Sequence, residues 1–581
     1  MPAVVGIGAS AGGLEALEEF FANVPADTGM AFVVITHQHP EHVSLLPEIL
    51  QRNCRIPVSE AADGARVEPN RVYVPPAGVK TAILNGRLQI TKTTDAAARH
   101  LPIDFFFRSL AADQKERAVC VILSGTGSDG SLGLRAIKAE AGMAMVQDAT
   151  SAKYAGMPSS AIATGLADYV LPPRTMPAQL AAYAVGAYLR AGPVAPAPSG
   201  LSLEWLEKIL VLLRAHTRHD FSAYKQATIR RRIERRMNVQ QITGAEQYVR
   251  YLKENPAELD LLFAELLISV TSFFRDRPAW ETLIDEILPK LLANLPENYA
   301  LRIWVPSCAT GEEAYSVAIA LRECMERLHR HCDVQIFASD LDPRAIEFAR
   351  AGKYPEGIAA DVPTAWLTRY FTVRDQQYIV NKEIRNLVVF APHNALSDPP
   401  FTRLDWVSCR NLLIYLDVEL QKRLLRLFHY ALKPGGLLFL GTSESIGDHD
   451  DLFDVVDRRW RIFSRRQAQR NTSFAAFPVA VSAVEHLPLP ASSAPIGREQ
   501  PISHLVEQVL LSRYSPPGVV VNQRGDVVYI HGPDATSSLP PAASRDSTSS
   551  TWPVKASATN SVWHCIRQEP ASGKSSARTC G

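Results

Sequence analysis

The stretch AVVGIGASAGGLEALEEFF, residues 3–21, decides the fold of the first part of the chain. An apolar strand enters a turn of glycines and small residues, and a helical pattern follows at once. This arrangement is typical of a dinucleotide-binding unit, but it is also typical of a turn that presents a nucleophilic serine. The residues at the ends of the neighbouring strands distinguish these two interpretations.

Residues 1–188 continue the pattern of apolar strands that alternate with helical segments. The predicted strands are PAVVGIGA, AFVVIT, RVYVPP, RAVCVILSG and MAMVQD, and the predicted helices are LEALEEFF and DGSLGLRAIKAE. Because such alternation covers a sheet with helices, it predicts an α/β domain with a mostly parallel sheet.

Three side chains follow strands of this predicted sheet, at the edge where the catalytic groups of open α/β sheets gather. A dinucleotide site needs an acid after the second strand, but AFVVIT is followed by His37 and the first carboxylate is Glu41. A histidine beside a serine turn favours acyl chemistry, with Ser10 as the nucleophile and Asp129 as the acid that orients the histidine. A serine in a glycine turn is by itself more often structural, so the prediction depends on all three residues together.

The motifs GASAGG, THQHP, SGTGSDG and YAGMPSSAIATG make residues 3–185 similar to the catalytic domain of CheB-type chemotaxis receptor methylesterases. The resemblance implies that Ser10, His37 and Asp129 hydrolyse a glutamate methyl ester on a receptor helix. It also favours His37 as the general base over the nearby histidines at positions 39 and 42.

The same resemblance implies an oxyanion region formed by backbone N–H groups near Ala11 and Thr126. Many family members carry threonine and methionine at these two positions. Because the backbone would supply the donors, either residue type is compatible with the role.

Residues 201–275 carry helical patterns, and residues 276–467 bring a second series of strands, LRIWVPS, DVQIFASD, LVVFAPHN, DWVSCRNLLIY and GGLLFLGTS. This order predicts a small helical domain followed by a doubly wound α/β domain. The first of these strands enters a turn that leads to Glu312 and Glu313, and the next strand ends in Asp340, the ribose-binding acid that the first domain lacks. Carboxylates at the helix start disfavour a pyrophosphate and suit a cationic cofactor without phosphate, such as S-adenosylmethionine.

Residues 201–466 resemble CheR-type chemotaxis receptor methyltransferases in the motifs YKQATIRRRIERRM, TSFFRD, CATGEEAYS, ASDLD, CRNLLIYLD and LKPGGLLFLGTSES. The resemblance implies S-adenosylmethionine as the cofactor. The residues that it implies are Thr271 and Arg275 for the methionine end, Glu313 or Glu312 for the ammonium, Asp340 for the ribose, Asn394 and Ala395 for the adenine, and Arg410, Asn411 and Tyr415 for the methyl-transfer site. Thr271 and Arg275 would share one face if their segment is helical.

Two features leave alternatives open in this second part. Many relatives have glycine where this chain has Ser307, and a side chain at that position could crowd the cofactor. Arg230, Arg231 and Arg235 lie in a basic helical stretch, which is either a solvated helix face or a surface that docks on an acidic receptor bundle.

Composition shifts divide the chain. Residues 189–200 and 468–500 are rich in proline, alanine and serine and are predicted linkers. Residues 501–532 contain the hairpin pattern VVVNQRGDVVYI and resemble the start of a PAS-type sensory domain. Residues 533–581 have neither strand nor helix periodicity and are predicted to be a frameshift product or a disordered tail.

The bulk composition excludes several function classes. The 581-residue chain carries 61 basic and 60 acidic residues, a net charge of +1, which gives no electrostatic reason to expect nucleic acid as a partner. The eight cysteines form no C-x-x-C pair, so reduced thiols are expected and a zinc site is not. Without a secretory leader or a spanning segment in the sequence, the expected location is the cytoplasm, with no membrane insertion.

These observations predict a bifunctional enzyme that methylates and demethylates glutamate side chains of chemotaxis-type receptors. The expected partner is the cytoplasmic helix bundle of such a receptor, with a histidine kinase or a response regulator as further candidates. One alternative is a signalling scaffold with one or both sites inactive. The other is a nicotinamide-dependent enzyme built on the first glycine turn.

Overall fold

The computed structural model describes residues 2–37, 44–92, 101–185, 201–267, 270–293, 295–296 and 299–467, and four strands beyond residue 500. The chain forms two compact units, residues 1–480 and 481–581. Both predicted linkers, residues 189–200 and 468–500, lie outside the described residues.

The first domain is a seven-stranded sheet covered by helices. In chain order its strands and hairpin are β1 Val4–Ala9, β2 Ala31–Thr36, β3 Val58–Glu60, β4 Arg71–Val74, β5 Val79–Leu84, β6 Arg87–Lys92, β7 Ala118–Ile122, β8 Met143–Gln147 and β9 Tyr169–Leu171. Its helices are α1 Gly13–Ala22, α2 Leu46–Asn53, α3 Pro102–Gln114, α4 Ser131–Ala139, α5 Gly156–Ala163 and α6 Met176–Val185.

The order of this sheet is β3-β4-β2-β1-β7-β8-β9, and all of its strand pairs are parallel. This confirms the predicted parallel α/β domain. The central strand β1 is buried along its whole length, as expected for a strand with helices on both faces. The hairpin β5–β6 forms a separate two-stranded sheet that the periodicity did not predict.

The second domain begins with a helical part, as predicted. Its helices are α7 Leu203–Thr217, α8 Gln226–Val239, α9 Ala245–Glu254 and α10 Pro256–Leu267, and α11 Arg277–Thr282 and α12 Leu288–Ala293 then lead into the sheet. The basic stretch predicted to be helical is α8.

The α/β part that follows is a second seven-stranded sheet of order β15-β11-β10-β16-β17-β19-β18. The strands are β10 Ala300–Pro306, β11 Asp333–Asp340, β12 Lys353–Pro355, β13 Phe371–Arg374, β14 Gln377–Val380, β15 Val388–Pro392, β16 Leu404–Cys409, β17 Leu432–Leu440, β18 Phe453–Asp457 and β19 Ile462–Arg465. The helices are α13 Glu312–Arg327, α14 Pro343–Ala351, α15 Thr364–Tyr370, α16 Lys382–Arg385 and α17 Val418–Ala431. Strands β12, β14 and β13 make a small sheet of their own.

The order in which the chain adds strands to this sheet reverses beside β10. This strand pairs in parallel with both β11 and β16. In open α/β sheets such a switch point places the ligand at the carboxyl ends of the flanking strands. The predicted doubly wound fold is therefore confirmed. Within the described part of the chain, every helix is too short or too polar to cross a bilayer.

The second unit contains a sheet of order β21-β20-β22-β23, formed by β20 Gly518–Val521, β21 Val527–His531, β22 His564–Arg567 and β23 Ala577–Thr579. The predicted hairpin is confirmed, since β20 and β21 pair in antiparallel fashion. The expectation that residues 533–581 form no strand is wrong, because β22 pairs with β20. A strand edge offers backbone N–H and C=O groups to any extended segment, so this pairing needs no side-chain periodicity.

Candidate active sites

Three neighbouring strands bring the predicted triad together. Ser10 follows β1, His37 follows β2, and Asp129 lies in the turn between β7 and α4. The Ser10 Oγ lies 3.0 Å from His37 Nδ1, and His37 Nε2 lies 3.1 Å from Asp129 Oδ2. The distances allow the imidazole to accept the serine proton on one nitrogen while the carboxylate holds the other nitrogen. The two rival histidines, at positions 39 and 42, lie outside the described residues.

The Asp129 carboxylate is fixed by backbone donors on two sides. Its Oδ2 accepts the N–H of Ile103 at 3.0 Å, and its Oδ1 accepts the N–H groups of Asp104 at 2.8 Å and Gly130 at 2.9 Å. Two of these donors come from the first turn of α3, where N–H groups have no partner within the helix. The contribution of α3 was not predicted, since no spacing in the sequence relates Pro102–Gln114 to the triad.

Asp104 is a second buried carboxyl group beside the triad, and it was also not predicted. Its side chain accepts the N–H of Gly133 at 2.6 Å, while Oδ2 has no hydrogen-bond partner among the described residues. Burial, together with the charge of Asp129, raises the pKa of Asp104 to about 8. Near neutral pH Asp104 therefore holds a proton that an unfolded chain would release, and the carboxyl group places little negative charge next to Asp129.

This proton makes stability depend on pH. The folded protein binds it up to about pH 8 whereas the unfolded chain releases it near pH 4, so the contribution of Asp104 to the free energy of unfolding falls as the pH rises through that window. We expect Asp104→Asn to gain stability relative to the wild type by up to about 1.4 kcal/mol per pH unit across it. Urea unfolding at several pH values measures the difference. The exposed Asp27→Asn is the control, and a difference that does not vary with pH would contradict the prediction.

The glycines of the first turn make room for side chains and leave no cradle for a phosphate. Gly12 has a φ of 66°, and a Cβ there would lie 2.8 Å from side-chain atoms of Lys153 and Tyr154. At Gly125 a Cβ would lie 2.1 Å from the Met157 sulfur and 2.9 Å from the Cβ of Ser10. The turn is packed tightly against its neighbours, with Ser10 at its tip.

Ala11 and Thr126, the predicted oxyanion region, are both exposed and flank this packed turn. Ser124 fixes one side, because its hydroxyl donates to the Ala11 carbonyl at 3.0 Å and its carbonyl accepts the Ser10 N–H at 2.9 Å. Among the described residues, neither the Ala11 N–H nor the Thr126 N–H has a hydrogen-bond partner. Both groups are thus available to a ligand, and their oxyanion role stays a prediction.

A cleft that opens to solvent lies at the carboxyl ends of β10 and β11. Seven of the residues implied for the cofactor and for methyl transfer line it, namely Thr271, Arg275, Glu313, Asp340, Arg410, Asn411 and Tyr415. Glu312, Asn394 and Ala395 do not line it; Asn394 and Ala395 lie in the loop after β15.

The cleft carries the carboxylates of Asp340, which is buried, and Glu313, which is half-buried. Asp340 accepts the N–H groups of Ala309 at 2.8 Å and Asp342 at 3.0 Å, and Glu313 accepts the Ser408 hydroxyl at 2.5 Å. Burial raises the pKa of both carboxyl groups. A cationic ligand would offset the cost of burying their charge, so the donor set fits a sulfonium and ammonium compound and does not fit a polyphosphate.

The side chains of Glu312 and Glu313 point in different directions. Glu313 lines the cleft, whereas Glu312 accepts the Thr310 hydroxyl at 2.6 Å and lies 3.5 Å from Arg135 of the first domain. Consecutive helical residues face about 100° apart, so only one of the two can face the cleft. Glu313 is therefore the better placed of the two, and its contact with the cofactor ammonium stays a prediction.

The segment from Thr271 to Arg275 is a turn, so the condition under which these two side chains would share a helix face is not met. Phe274 and Asp276 have φ values of 47° and 60°, which no helix accommodates. Arg410 holds the turn by donating to the Arg275 carbonyl at 3.0 Å and to the Asp276 carboxylate at 2.6 Å. Both side chains still reach the cleft, but the Arg410 guanidinium already has a carboxylate partner and is not free to grip another.

Ser307 occupies a position that favours glycine, since its φ is 55° and its side chain is exposed at the cleft. A left-handed backbone costs a non-glycine residue about 1 kcal/mol. We expect Ser307→Gly to retain or raise the free energy of unfolding by up to about 1 kcal/mol and Ser307→Val to lower it by about 1–2 kcal/mol. Urea unfolding tests both. Ser272→Gly is the matched control, because Ser272 is also a loop serine, next to the cleft residue Thr271, but has no positive φ and should lose stability.

Glu444 is a structural residue of the cleft that the sequence analysis missed. Its carboxylate accepts the N–H groups of Asn411 at 2.9 Å, Leu413 at 2.7 Å and Gly441 at 2.6 Å. It thereby fixes the loop after β16, in which Asn411 adopts a φ of 61°. The motif that contains Glu444 was recognised, but three backbone partners of one carboxylate leave no periodic signal in a sequence.

Helix α8 packs its basic side chains against the first domain. Arg235 is completely buried, pairs with Asp168, and donates to Glu265 at 2.9 Å. Lys138 pairs with the same two carboxylates at 2.8 and 3.2 Å, and Arg232 lies 3.4 Å from Glu265. The expectation that Arg235 docks on a receptor is therefore wrong for this structure, because its surface is covered by the first domain.

Of the other two arginines, Arg231 is exposed and Arg230 is half-buried, with a hydrogen bond to the Leu201 carbonyl. Further contacts join the domains, among them Arg108, which donates to both oxygens of Asp361 at 2.8 and 3.1 Å, and Arg135, which lies 3.5 Å from Glu312. A docking role for Arg230 and Arg231 stays a prediction.

Comparisons with known proteins agree with both sites. Residues 5–180 match the family model described as CheB methylesterase, residues 204–267 match the CheR methyltransferase all-alpha domain, and residues 269–462 match the CheR methyltransferase SAM binding domain. The chain is similar to chemotaxis protein methyltransferase 2 of Vibrio cholerae, with 31% identity over 40% of this chain and 83% of the relative.

Two further similarities cover the first domain. An uncharacterized 104.1 kDa protein of Rhodobacter capsulatus is 39% identical over 84% of this chain, which spans about half, 53%, of that relative's length. The Thermotoga maritima CheB methylesterase catalytic domain, a crystal structure, is 31% identical over 31% of this chain and 98% of its own, with a TM-score of 0.30.

A serine triad in one α/β domain and an acidic cofactor cleft in another define a protein with a hydrolase-type site and a methyltransferase-type site. The chain belongs to the CheR family of chemotaxis methyltransferases and carries a CheB methylesterase domain in front of it. The cofactor of its second domain is S-adenosylmethionine, which the cleft residues fit.

Proposed function

We propose that this protein adds methyl esters to glutamate side chains of a chemotaxis-type receptor and removes them again. The observation that carries the proposal is that an assembled triad and an acidic cofactor cleft occur in one compact unit. Esterification removes the charge of a glutamate and hydrolysis restores it, and such changes bias a packed helix bundle between states. A scaffold with inactive sites has no need of either assembly.

The esterase site would work by nucleophilic catalysis. Ser10 Oγ attacks the ester carbonyl while His37 Nδ1 accepts the serine proton, and Asp129 stabilises the imidazolium through Nε2. The N–H groups of Ala11 and Thr126 would bind the oxyanion. The proton on His37 then passes to the departing methanol, and water activated by the same imidazole hydrolyses the acyl-serine to free glutamate.

The methyltransferase site would work mainly by positioning. S-adenosylmethionine supplies an activated methyl group when bound. Glu313 would hold its ammonium and Asp340 its ribose, while Arg275, fixed by Arg410, would hold its carboxylate. A glutamate carboxylate is already ionised and needs no base, so the site has only to align it with the methyl group, with Tyr415 beside it.

The receptor is identified by class alone, as a helix bundle with accessible glutamates. We place the activity in the cytoplasm, where such a bundle is expected. A histidine kinase or a response regulator as a further partner stays a prediction.

The test follows a labelled methyl group. The full chain is incubated with methyl-labelled S-adenosylmethionine and membranes that contain candidate receptors, and label is measured in protein and then in methanol. The wild type should label protein and release methanol, Ser10→Ala should accumulate labelled protein, and Asp340→Ala should label nothing. If the chain binds S-adenosylmethionine but labels no receptor under any condition, the scaffold alternative is correct.

A further inference from the structure

His219 is a buried polar residue that the proposed mechanism does not use. It lies in the segment between α7 and α8, and only 5% of its surface is exposed. Its ring packs edge-on against Phe221, with ring centres 4.6 Å apart, and against Phe263 at 6.4 Å. An apolar cage of this kind excludes water, so each ring nitrogen must find a partner within the protein.

Both nitrogens have one. His219 Nδ1 lies 3.2 Å from the Asn394 side-chain nitrogen, and His219 Nε2 lies 3.1 Å from the Tyr224 hydroxyl. Asn394 Oδ1 accepts the Leu396 N–H at 2.9 Å, so the amide nitrogen of Asn394 is the group that faces the imidazole. An amide nitrogen only donates, and His219 Nδ1 must therefore be the acceptor.

The position of the imidazole proton follows from this direction. Burial lowers the pKa of His219 to about 4, so the ring is neutral near pH 7 and carries a single N–H. Since Nδ1 accepts, that N–H is on Nε2 and donates to the Tyr224 oxygen. The hydroxyl hydrogen of Tyr224 is then left to point elsewhere, and Tyr224 lines the cofactor cleft together with Asp340.

The two partners of His219 belong to different parts of the methyltransferase. Tyr224 comes from the helical part, whereas Asn394 lies in the loop after β15, next to the strand that carries Asp340. His393, the neighbour of Asn394, donates its N–H to the Asp340 carbonyl at 3.0 Å. One imidazole thus ties the helical part to the loop expected to hold the adenine.

We propose that His219 is a positioning residue of the S-adenosylmethionine site. Its imidazole holds the Asn394 amide and the Tyr224 hydroxyl in fixed positions and directs that hydroxyl into the cleft. This inference rests on the proposed function. The relay runs from the Asn394 amide through the imidazole to the Tyr224 hydroxyl, with each group donating to the next.

The test compares binding by full-length variants. His219→Phe keeps the ring volume but removes both hydrogen bonds, and Tyr224→Phe removes the hydroxyl alone. His219→Gln restores a donor and an acceptor in one side chain. His216→Phe is the matched control, because His216 lies on α7 with a third of its side chain exposed and pairs with Asp260 at 2.8 Å, away from the cleft.

Calorimetry with S-adenosylhomocysteine and with 5′-methylthioadenosine gives the readout. We expect His219→Phe to raise both dissociation constants by about 10-fold, as expected for buried groups left unpaired, and Tyr224→Phe by about 3- to 10-fold. His219→Gln should recover part of the loss. In assays of methyl transfer the KM for S-adenosylmethionine should rise while kcat stays within about 2-fold. Asn394→Ala combined with His219→Phe should cost less than the sum of the two single losses.

Three outcomes would overturn the inference. Binding by His219→Phe within 2-fold of the wild type, additive losses in the double variant, or an equal loss in His216→Phe would each show that the relay does not order the site. If His219→Phe does not fold, Tyr224→Phe decides by the same criterion, and binding within 2-fold of the wild type overturns the inference. If the wild type itself binds neither compound, the proposed function has failed, and this inference fails with it.

Discussion

Replacing Ser10 with alanine should lower ester hydrolysis by roughly 10⁴-fold or more, because the nucleophile of a triad has no substitute. The side chain that is lost is the group 3.0 Å from His37 Nδ1. The alanine Cβ keeps the packing of the turn, since it is the Cβ of Ser10 that lies next to Gly125, where an added Cβ would come within 2.9 Å of it. Stability should therefore change by less than about 1 kcal/mol.

The measurement is methanol release from receptor that carries labelled methyl esters, together with methyl transfer by the same preparation. Methyl transfer should be unchanged, because Ser10 lies in the first domain and the cofactor cleft is lined by the second. Ser59→Ala on the edge strand β3, three strands from β1, is the control and should retain full hydrolysis. Hydrolysis by Ser10→Ala within 10-fold of the wild type would assign the chemistry to another nucleophile.

Replacing Arg235 with alanine should cost about 3–5 kcal/mol of unfolding free energy, the usual loss when one partner of a buried ion pair is removed. The guanidinium donates to the carbonyl oxygens of Ala141 at 3.0 Å and Gly142 at 2.8 Å in addition to its two carboxylates. Without the guanidinium, the buried carboxylates of Asp168 and Glu265 have too few cationic partners to offset the cost of burying their charge.

Urea unfolding of the full chain measures the loss, and Arg231→Ala is the matched control. Arg231 lies on the same helix but is exposed, so its loss should stay within about 0.5 kcal/mol. If both variants lose equally little, the network does not stabilise the protein. A loss in Arg235→Ala that is accompanied by unchanged contact between the two domains, as followed by hydrogen exchange at Ala141 and Gly142, would place its effect elsewhere.

The same network makes the domain contact sensitive to acid. Although burial opposes it, the charges of Arg235 and Lys138 hold the pKa values of Asp168 and Glu265 below their ordinary range. A depressed carboxyl pKa stabilises the folded state above the unfolded pKa of about 4, and this contribution disappears as the pH falls through the folded value. The contact should consequently be intact at neutral pH and weaken in acid below about pH 4.

The strand ends could be predicted from the sequence because hydrophobic periodicity marks buried strands. The carboxyl ends of parallel strands also lie at the same edge of a sheet. Ser10, His37, Asp129 and Asp340 were found in this way. The turn at Thr271 could not be predicted, since its shape depends on positive φ values and on a contact with Arg410, a residue 135 positions further along than Arg275. The local sequence pattern does not indicate such a long-range contact.

The domain contact could not be predicted for the same reason. A run of arginines looks alike whether it faces water or a carboxylate from another domain, and Asp168 is 67 positions away from Arg235. Asp104 and Glu444 were missed because single carboxylates acquire meaning only from the backbone donors around them. These contacts form only in the folded protein, and no local pattern in a single sequence indicates them.

The buried charges between the two domains also bear on how cells control receptor modification. When a methyltransferase and a methylesterase are separate proteins, their copy numbers vary independently. The balance between the two activities then changes with every burst of synthesis. Here both domains are parts of one chain, which fixes the two proposed activities in a one-to-one ratio, and the pair of Arg235 with Asp168 helps to hold the domains in contact. Under the proposed function, the average modification of a receptor would then depend on the ratio of two rate constants and not on the relative copy numbers of two proteins.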